Sequence, residues 1–371
     1  MTDVIVAGHL CLDIIPDLSA HAEGQFDVAF QPGRLVHVGA ASISTGGAVS
    51  NTGLALHRLG IETRLLARVG ADQFGRTVKQ MVAEHAPALA DGITISAETS
   101  TSYSVVISPP GSDRRFLHHP GANDDFCADD VRDKDLREGR LFHFGYPPLM
   151  ARMFADDGVQ LTELFRRVKS LGLTTSLDMA LPDPDSAAGR ANWLTILKNT
   201  LPHVDIFLPS LDEILFMLGR KVDTPLSAQL LTEVSDELLA MGAKIVVLKL
   251  GNRGLYLRVA PAEVLQNMGR VRPTDLSTWA NYENWSPCFQ VDVVGTTGSG
   301  DATIAGFLAA LLRDVSPGQA MDIALAVGAC NVEAADALSG IRPWDDTLRR
   351  INAGWLQSWD ANDGVRSGKT P

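Results

Sequence analysis

The sequence predicts an α/β fold with a mostly parallel central sheet and helices on both faces. Short β-rich runs bounded by turn residues alternate along the chain with segments whose apolar residues recur every three or four positions. That alternation is the signature of βαβ units, in which a crossover helix joins two parallel strands. The 371 residues, 45% apolar and 20% charged, are enough to bury a large core and are unlike a disordered chain.

Taken in order, the expected strands are Val4–Ala7, Leu65–Val69, Leu141–Gly145, Thr174–Asp178, Ile206–Leu208 and Ile245–Leu250. Helical spacing covers Thr52–Leu59, Gln73–Glu84, Val159–Leu171, Ala188–Leu197, Leu211–Leu218 and Ala228–Met241. A further strand is expected at Phe289–Val294, and the last third is helical over Asp301–Leu312, Gly318–Asp336 and Asp345–Trp359. Two segments break the rhythm. Ile14–Ser44 is polar and punctuated by Gly and Pro, and Thr99–His119 contains the alternating run Tyr103–Ser108; both suit strands that leave the main sheet as a small β-lid. Residues 1–360 thus form one domain carrying lid segments at about 14–44 and 99–119, and 361–371 read as a flexible tail. The connection Ala260–Pro287, rich in Trp and Asn, reads as a long loop with its own small core.

Thirty-two basic residues against forty-four acidic ones leave a net charge of −12. A field of that sign repels phosphate backbones and anionic bilayers, which argues against nucleic acid and membrane partners. No run approaches the ~18 apolar residues of a membrane span, and no secretory signal is visible, so a cytoplasmic protein is expected. The four cysteines (Cys11, Cys127, Cys288, Cys330) are widely spaced and read as small hydrophobes.

The strongest local signal is Gly295-Thr296-Thr297-Gly298-Ser299-Gly300-Asp301, a small-residue turn running into a helix. Gly298, Ser299 and Gly300 expose backbone N–H groups at a helix N-terminus, a geometry that binds phosphate oxygens. Asp301 then stands where a carboxylate can take a proton from a substrate hydroxyl, although a simple N-cap is the competing reading. A second element, Gly46-Gly47-Ala48-Val49-Ser50-Asn51, lets a ligand approach the backbone and offers Asn51 as donor and acceptor, with a helix cap again the alternative. The adjacent His118-His119 point to opposite strand faces and do not make a metal pair. Asp178, Asp183 and Asp185, interleaved with prolines, read as a surface loop. Gly364–Thr370 is too short for a P-loop.

Together these elements resemble the PfkB family of carbohydrate kinases, over nearly the whole chain. Gly298-Ser299-Gly300-Asp301 with Ala305-Gly306-Phe307 resembles the family's C-terminal signature, and Gly46-Gly47…Asn51…Gly60…Gly70 its N-terminal one. Asp13, Gly121-Ala122-Asn123, Glu213 and Gly251-x-x-Gly254 follow in the expected order. The resemblance implies a ribokinase-like three-layer α/β/α fold with a β-lid, and an ATP-dependent transfer of phosphate to an alcohol of a sugar or nucleoside. It implies Asp301 as catalytic base and Gly298, Ser299 and Gly300 as the anion hole. Asp13, Gly46, Gly47, Asn51 and Asn123 would bind substrate, and Gly251, Gly254, Gly328 and Asn331 the nucleotide. Glu213 would position Mg²⁺ through water.

Ser210 stands where the family has the Asn of Asn-x-x-Glu, and Gly295 where it has an Asp that helps hold a monovalent cation. Loss of that carboxylate argues against strong activation by K⁺. A pyridoxal-type vitamin kinase and a catalytically silent sugar-binding relative are the alternatives. The paired glycines with Asn51 argue against the first, and the intact Asp301 and glycine turn against the second. The resemblance also implies that the lid strands can pair two copies into a homodimer.

Overall fold

The computed structural model describes residues 2–21, 32–110 and 115–359. The expected tail at 361–371 and parts of both expected lid segments lie outside them. Strand β1 (Thr2–Gly8) shows how the sequence builds the layers. Its alternate residues Val4 and Val6 join one buried cluster, and Ile5 and Ala7 join a second on the opposite face. Both faces of the sheet are therefore covered, as parallel strands require. Each fully buried Val, Leu or Phe in these layers contributes ~1.5–3 kcal/mol.

Around β1 the chain lays down β2 (Cys11–Ile15), β3 (Ser42–Gly46), β4 (Thr63–Gly70), β5 (Ile93–Ser96), β6 (Tyr103–Ile107), β7 (Arg115–His119) and β8 (Gly139–Gly145). Then come β9 (Thr174–Leu177), β10 (Ile206–Phe207), β11 (Ile245–Lys249), β12 (Leu255–Val259) and β13 (Glu283–Ser286). Helices of seven or more residues are α1 (Ala48–Arg58), α2 (Gln73–His85), α3 (Val159–Ser170), α4 (Trp193–Thr200), α5 (Leu211–Met217), α6 (Ala228–Ala240), α7 (Ser299–Leu312), α8 (Pro317–Val332) and α9 (Trp344–Asn352). Among the described residues the main sheet has nine strands in the order β13-β12-β11-β10-β9-β8-β1-β4-β5. It is parallel except where β12 pairs with β11 and β13. A separate sheet, β3-β2-β6-β7, gathers the strands that break the βα rhythm.

Three expectations change. Phe289–Val294 is not a strand: β13 already occupies the sheet edge and Pro287 ends it. The backbone after it bonds instead to the segment that follows Gly354, Gln290 N to Leu356 O at 2.9 Å and Ser358 N to Cys288 O at 3.2 Å. The 260–287 connection is not one loop, because it carries β13. Its Trp279 is buried edge-on against Phe307 and donates to Val315 O. Helix α9 stops at Asn352, since Gly354 (φ 86°) turns the chain back toward Phe289.

At the amino ends of β10 and β11, Asp205 is fully buried and accepts from Lys169 and Lys244, each at 2.6 Å, and from the Thr175 amide at 3.1 Å. Removing one member of a buried ion cluster strands the other charges. Asp205→Ala is expected to cost ~3–5 kcal/mol in urea unfolding, while the folded fraction keeps its ligand affinities, because this cluster lies at the opposite strand ends from the site below.

Candidate active site

The chain leaves β1 toward β4 on one side, and on the other side β8 continues to β9. Strand order thus reverses between β1 and β8, and ligands in open α/β sheets bind in the crevice beyond such strand ends. The two ends approach unusually closely. Gly8 has φ 128°, and a Cβ there would lie 2.4 Å from Gly145 O. Gly47, the N-cap of α1, has φ 91° and would place a Cβ 2.5 Å from His9. Both positions require glycine.

Helix α7 packs on α1, bringing two helix N-termini together over this crevice. Asp301 lies in the first turn of α7 and is 3% exposed. It is not a cap; Gly298, in the left-handed conformation, holds the N-cap position. Its carboxylate reaches other elements. Asn51 Nδ2 donates to Oδ2 at 3.0 Å, Thr52 Oγ1 to Oδ1 at 3.0 Å, and Tyr146 OH to Oδ2 at 2.7 Å. Asn51 Oδ1 is buried without a partner among the described residues, an acceptor available to a ligand hydroxyl.

The carboxyl ends of β9, β10 and β11 deliver three more charges to the same crevice. Lys249 Nζ meets Asp178 Oδ1 at 2.6 Å; Asp178 is buried and Lys249 keeps 12% of its side chain exposed. Burial pushes Asp178 upward against the pull of Lys249, and the negative charges of Glu213 and Asp301 add to it. Burial would lower Lys249, but Asp178, Glu213 and Asp301 outweigh it and hold the ammonium above its ordinary value. Lys249 Nζ also stands 3.7 Å from where a Cβ of Gly300 would sit, so its charge borders the glycine turn. In that turn Ser299 N already donates to Thr296 O at 3.3 Å.

Glu213 and Ser210 cap α5 reciprocally. Ser210 N donates to Glu213 Oε2 at 2.7 Å, and Glu213 N to Ser210 Oγ at 3.3 Å. This explains how Ser replaces Asn here: the short hydroxyl suits the cap. His9 and His143 are both pushed down to about 3, chiefly by burial, with His118 and Lys249 respectively adding to the effect; both are neutral.

The remaining expected residues divide by exposure. Asp13, on β2, accepts from Cys11 Sγ at 3.4 Å, and its carboxylate fills the space beside Gly46, where a Cβ would meet Oδ2 at 2.3 Å. Gly251 is exposed with open space around it. Asn123, expected to touch substrate, is fully buried and brackets Leu10, accepting from its N–H at 3.3 Å and donating to its carbonyl at 3.0 Å. Gly254 packs against Ser286 O and Gly328 against Thr303, where a Cβ would lie at 1.9 and 2.4 Å respectively. Asn331 donates to Ala337 O at 2.7 Å, and Ala337 in turn backs Gly298. Asn331 Oδ1 is buried without a partner among the described residues.

Tyr146, Thr52, Lys249 and Asp178 are absent from the sequence-based set. Thr52 adjoins Asn51 and Lys249 precedes Gly251-x-x-Gly254, so adjacency to a motif was the available signal. The sequence pattern places Asp178 in a surface loop. The structure corrects this, since it is 1% exposed whereas Asp183 and Asp185 are exposed. Tyr146 carries no local pattern at all.

The family model described as pfkB family carbohydrate kinase matches residues 1–344. The chain belongs to this family. It is 26% identical over 260 residues to an uncharacterized sugar kinase of Archaeoglobus fulgidus, covering 70% of this chain and 87% of that protein. It is 24% identical over 312 residues to the 2-dehydro-3-deoxygluconokinase of Bacillus subtilis, covering 83% and 87%. Among solved structures, the Xylella fastidiosa fructokinase with bound ATP superposes with a TM-score of 0.72 at 18% identity, covering 95% of this chain and 99% of that one. The Arabidopsis thaliana ribokinase complexed with ribose and ATP gives 0.71 at 18%, covering 94% and 98%. The fold is therefore ribokinase-like, a three-layer α/β/α arrangement, and the chain is a carbohydrate kinase.

Gly298→Ala puts a Cβ 2.6 Å from Ala337 Cβ on a backbone at φ 71°. The variant is expected to fold with a stability loss of ~1–2 kcal/mol and to lose about 10²-fold or more in kcat. An unchanged kcat would show that the turn does not contact the transferring group.

Proposed function

We propose that this kinase transfers the γ-phosphoryl group of ATP to an alcohol of a sugar or nucleoside, with Asp301 as general base. The observation that carries the reading is Asp301 itself: a buried carboxylate in the first turn of a helix entered through a glycine turn, oriented by donors from three other points in the chain. Asp301 takes the hydroxyl proton as the acceptor oxygen bonds to phosphorus. The bond from phosphorus to the bridging oxygen breaks, and ADP leaves. The first-turn N–H groups of α7 have no intrahelical acceptors and face the charge that develops on the phosphoryl oxygens. Lys249 adds a fixed positive charge beside Gly300.

On the acceptor side, Asp13 and Asn51 supply hydroxyl contacts, Gly46 and Gly47 let the acceptor approach the backbone, and Asn123 acts through Leu10. On the nucleotide side, Gly251 borders the phosphates, while Gly254, Gly328 and Asn331 hold the surrounding backbone. The sheet β3-β2-β6-β7 serves as a lid over the acceptor and excludes water. Among the described residues no cluster of three or more metal-type ligands exists. The carboxylates at hand, Glu213 above all, suit a hard, hydrated Mg²⁺ held mainly by the nucleotide. Bound there, that ion would neutralise phosphate charge. At Gly295 a Cβ would lie 2.9 Å from Ala334 O and 3.0 Å from Ala335 O, so a carboxylate there would displace this backbone.

The decisive assay is ADP release from ATP with D-fructose, 2-dehydro-3-deoxygluconate, D-ribose and adenosine as acceptors. At least one is expected to accelerate release over water, and Asp301→Asn to lower kcat by about 10²- to 10⁴-fold with binding retained. No acceleration by any acceptor, or wild-type turnover in the variant, would refute the reading. Replacing K⁺ with tetramethylammonium at constant ionic strength is expected to change kcat by less than about threefold. A collapse would mean that other ligands complete a cation site.

A further inference from the structure

Tyr146 stands at the end of β8 with φ 66° and ψ 42°, a left-handed backbone that bulky residues rarely adopt. Its neighbours hold it there. Gly145 docks on Ala48, where a Cβ would approach to 2.2 Å, and Pro147 fixes the next φ. Glycine or asparagine would sit at this turn with less strain, so the phenol ring supplies something those residues lack. The turn directs the ring beside His9, with centroids 6.1 Å apart, and its hydroxyl onto Asp301 Oδ2 at 2.7 Å.

A carboxylate offers about four acceptor sites, two on each oxygen. On Asp301, Asn51 and Tyr146 fill both sites of Oδ2, and Thr52 fills one of Oδ1. We infer that Tyr146 is a positioning residue which closes Oδ2, so that the acceptor alcohol donates its proton to Oδ1. Burial, Asp301 and Asp178 hold the phenol well above its ordinary value, so it stays a donor. His9, the nearest ring, is neutral and brings no competing charge. The inference rests on Asp301 being the base.

The test compares Tyr146→Phe, Tyr146→Gly, Asp301→Asn and the Phe/Asn double variant. It uses the fastest of the four acceptors above, and also water as acceptor through ATP hydrolysis. Phe keeps the ring, and Gly relieves the left-handed backbone, so at least one of the two folds. Tyr146→Phe is expected to lower kcat about 10- to 100-fold with the KM values for ATP and acceptor within about threefold. In the Asp301→Asn background, removing the hydroxyl should cost nothing further, a coupling that a general packing role would not produce. A raised KM with unchanged kcat would make Tyr146 a binding contact. Faster turnover would make it a plug, and a full additive loss would make it merely structural; each overturns the inference. Wild-type turnover in Asp301→Asn would instead refute the underlying assignment of the base.

Discussion

The site depends on one close approach: the N-terminal turns of α1 and α7 meet over the closely paired ends of β1 and β8. Only there can Asn51 and Thr52 reach Asp301. The approach is permitted by missing side chains. Gly8 admits Gly145 O, Gly47 admits His9, and on the far side of α7 Gly306 and Gly328 let α8 lie close against it. A methyl group at Gly306 would come within 2.9 Å of Ala324 Cα, so the helix pair that carries Asp301 is set by glycine as much as by its apolar layer. Conformational freedom given up at these glycines is offset by a fixed geometry at the carboxylate.

Charge is arranged locally against the chain's overall sign. A net charge of −12 would repel a polyphosphate, yet the crevice combines a helix N-terminus, glycine N–H groups and the largely shielded Lys249. Lys249 stays charged because three carboxylates surround it, and Asp178 in direct contact keeps it in place. Helix dipole and ammonium point to the same turn, Gly298–Gly300.

Features carried by local pattern were legible in the sequence. The strands of the parallel core, the helices between them and the glycine turn before Asp301 all follow from periodicity or from backbone chemistry, and the four strands that break the rhythm do form a separate sheet. What was hidden depends on distant partners. The amide of Asn123 closes on the backbone of Leu10, a residue far away in the sequence. Asp178 precedes a proline-punctuated loop, and only the strand order β9-β10-β11 shows that Lys249 lies beside it. Tyr146 joins the site through a positive φ, which no pattern of apolar residues encodes. The failed strand at Phe289–Val294 has the same origin, since β13 had already taken the sheet edge.

With Asp301 as the proposed base, the alcohol would meet it and the phosphoryl donor at the α7 N-terminus. The most direct test is a crystal structure with a non-hydrolysable ATP analogue, Mg²⁺ and the preferred acceptor. The acceptor oxygen is expected about 3 Å from Asp301 Oδ1 and about 3–3.5 Å from the terminal phosphorus, in line with the leaving oxygen. An acceptor bound elsewhere in the crevice, or a triphosphate turned away from Gly298–Gly300, would contradict it.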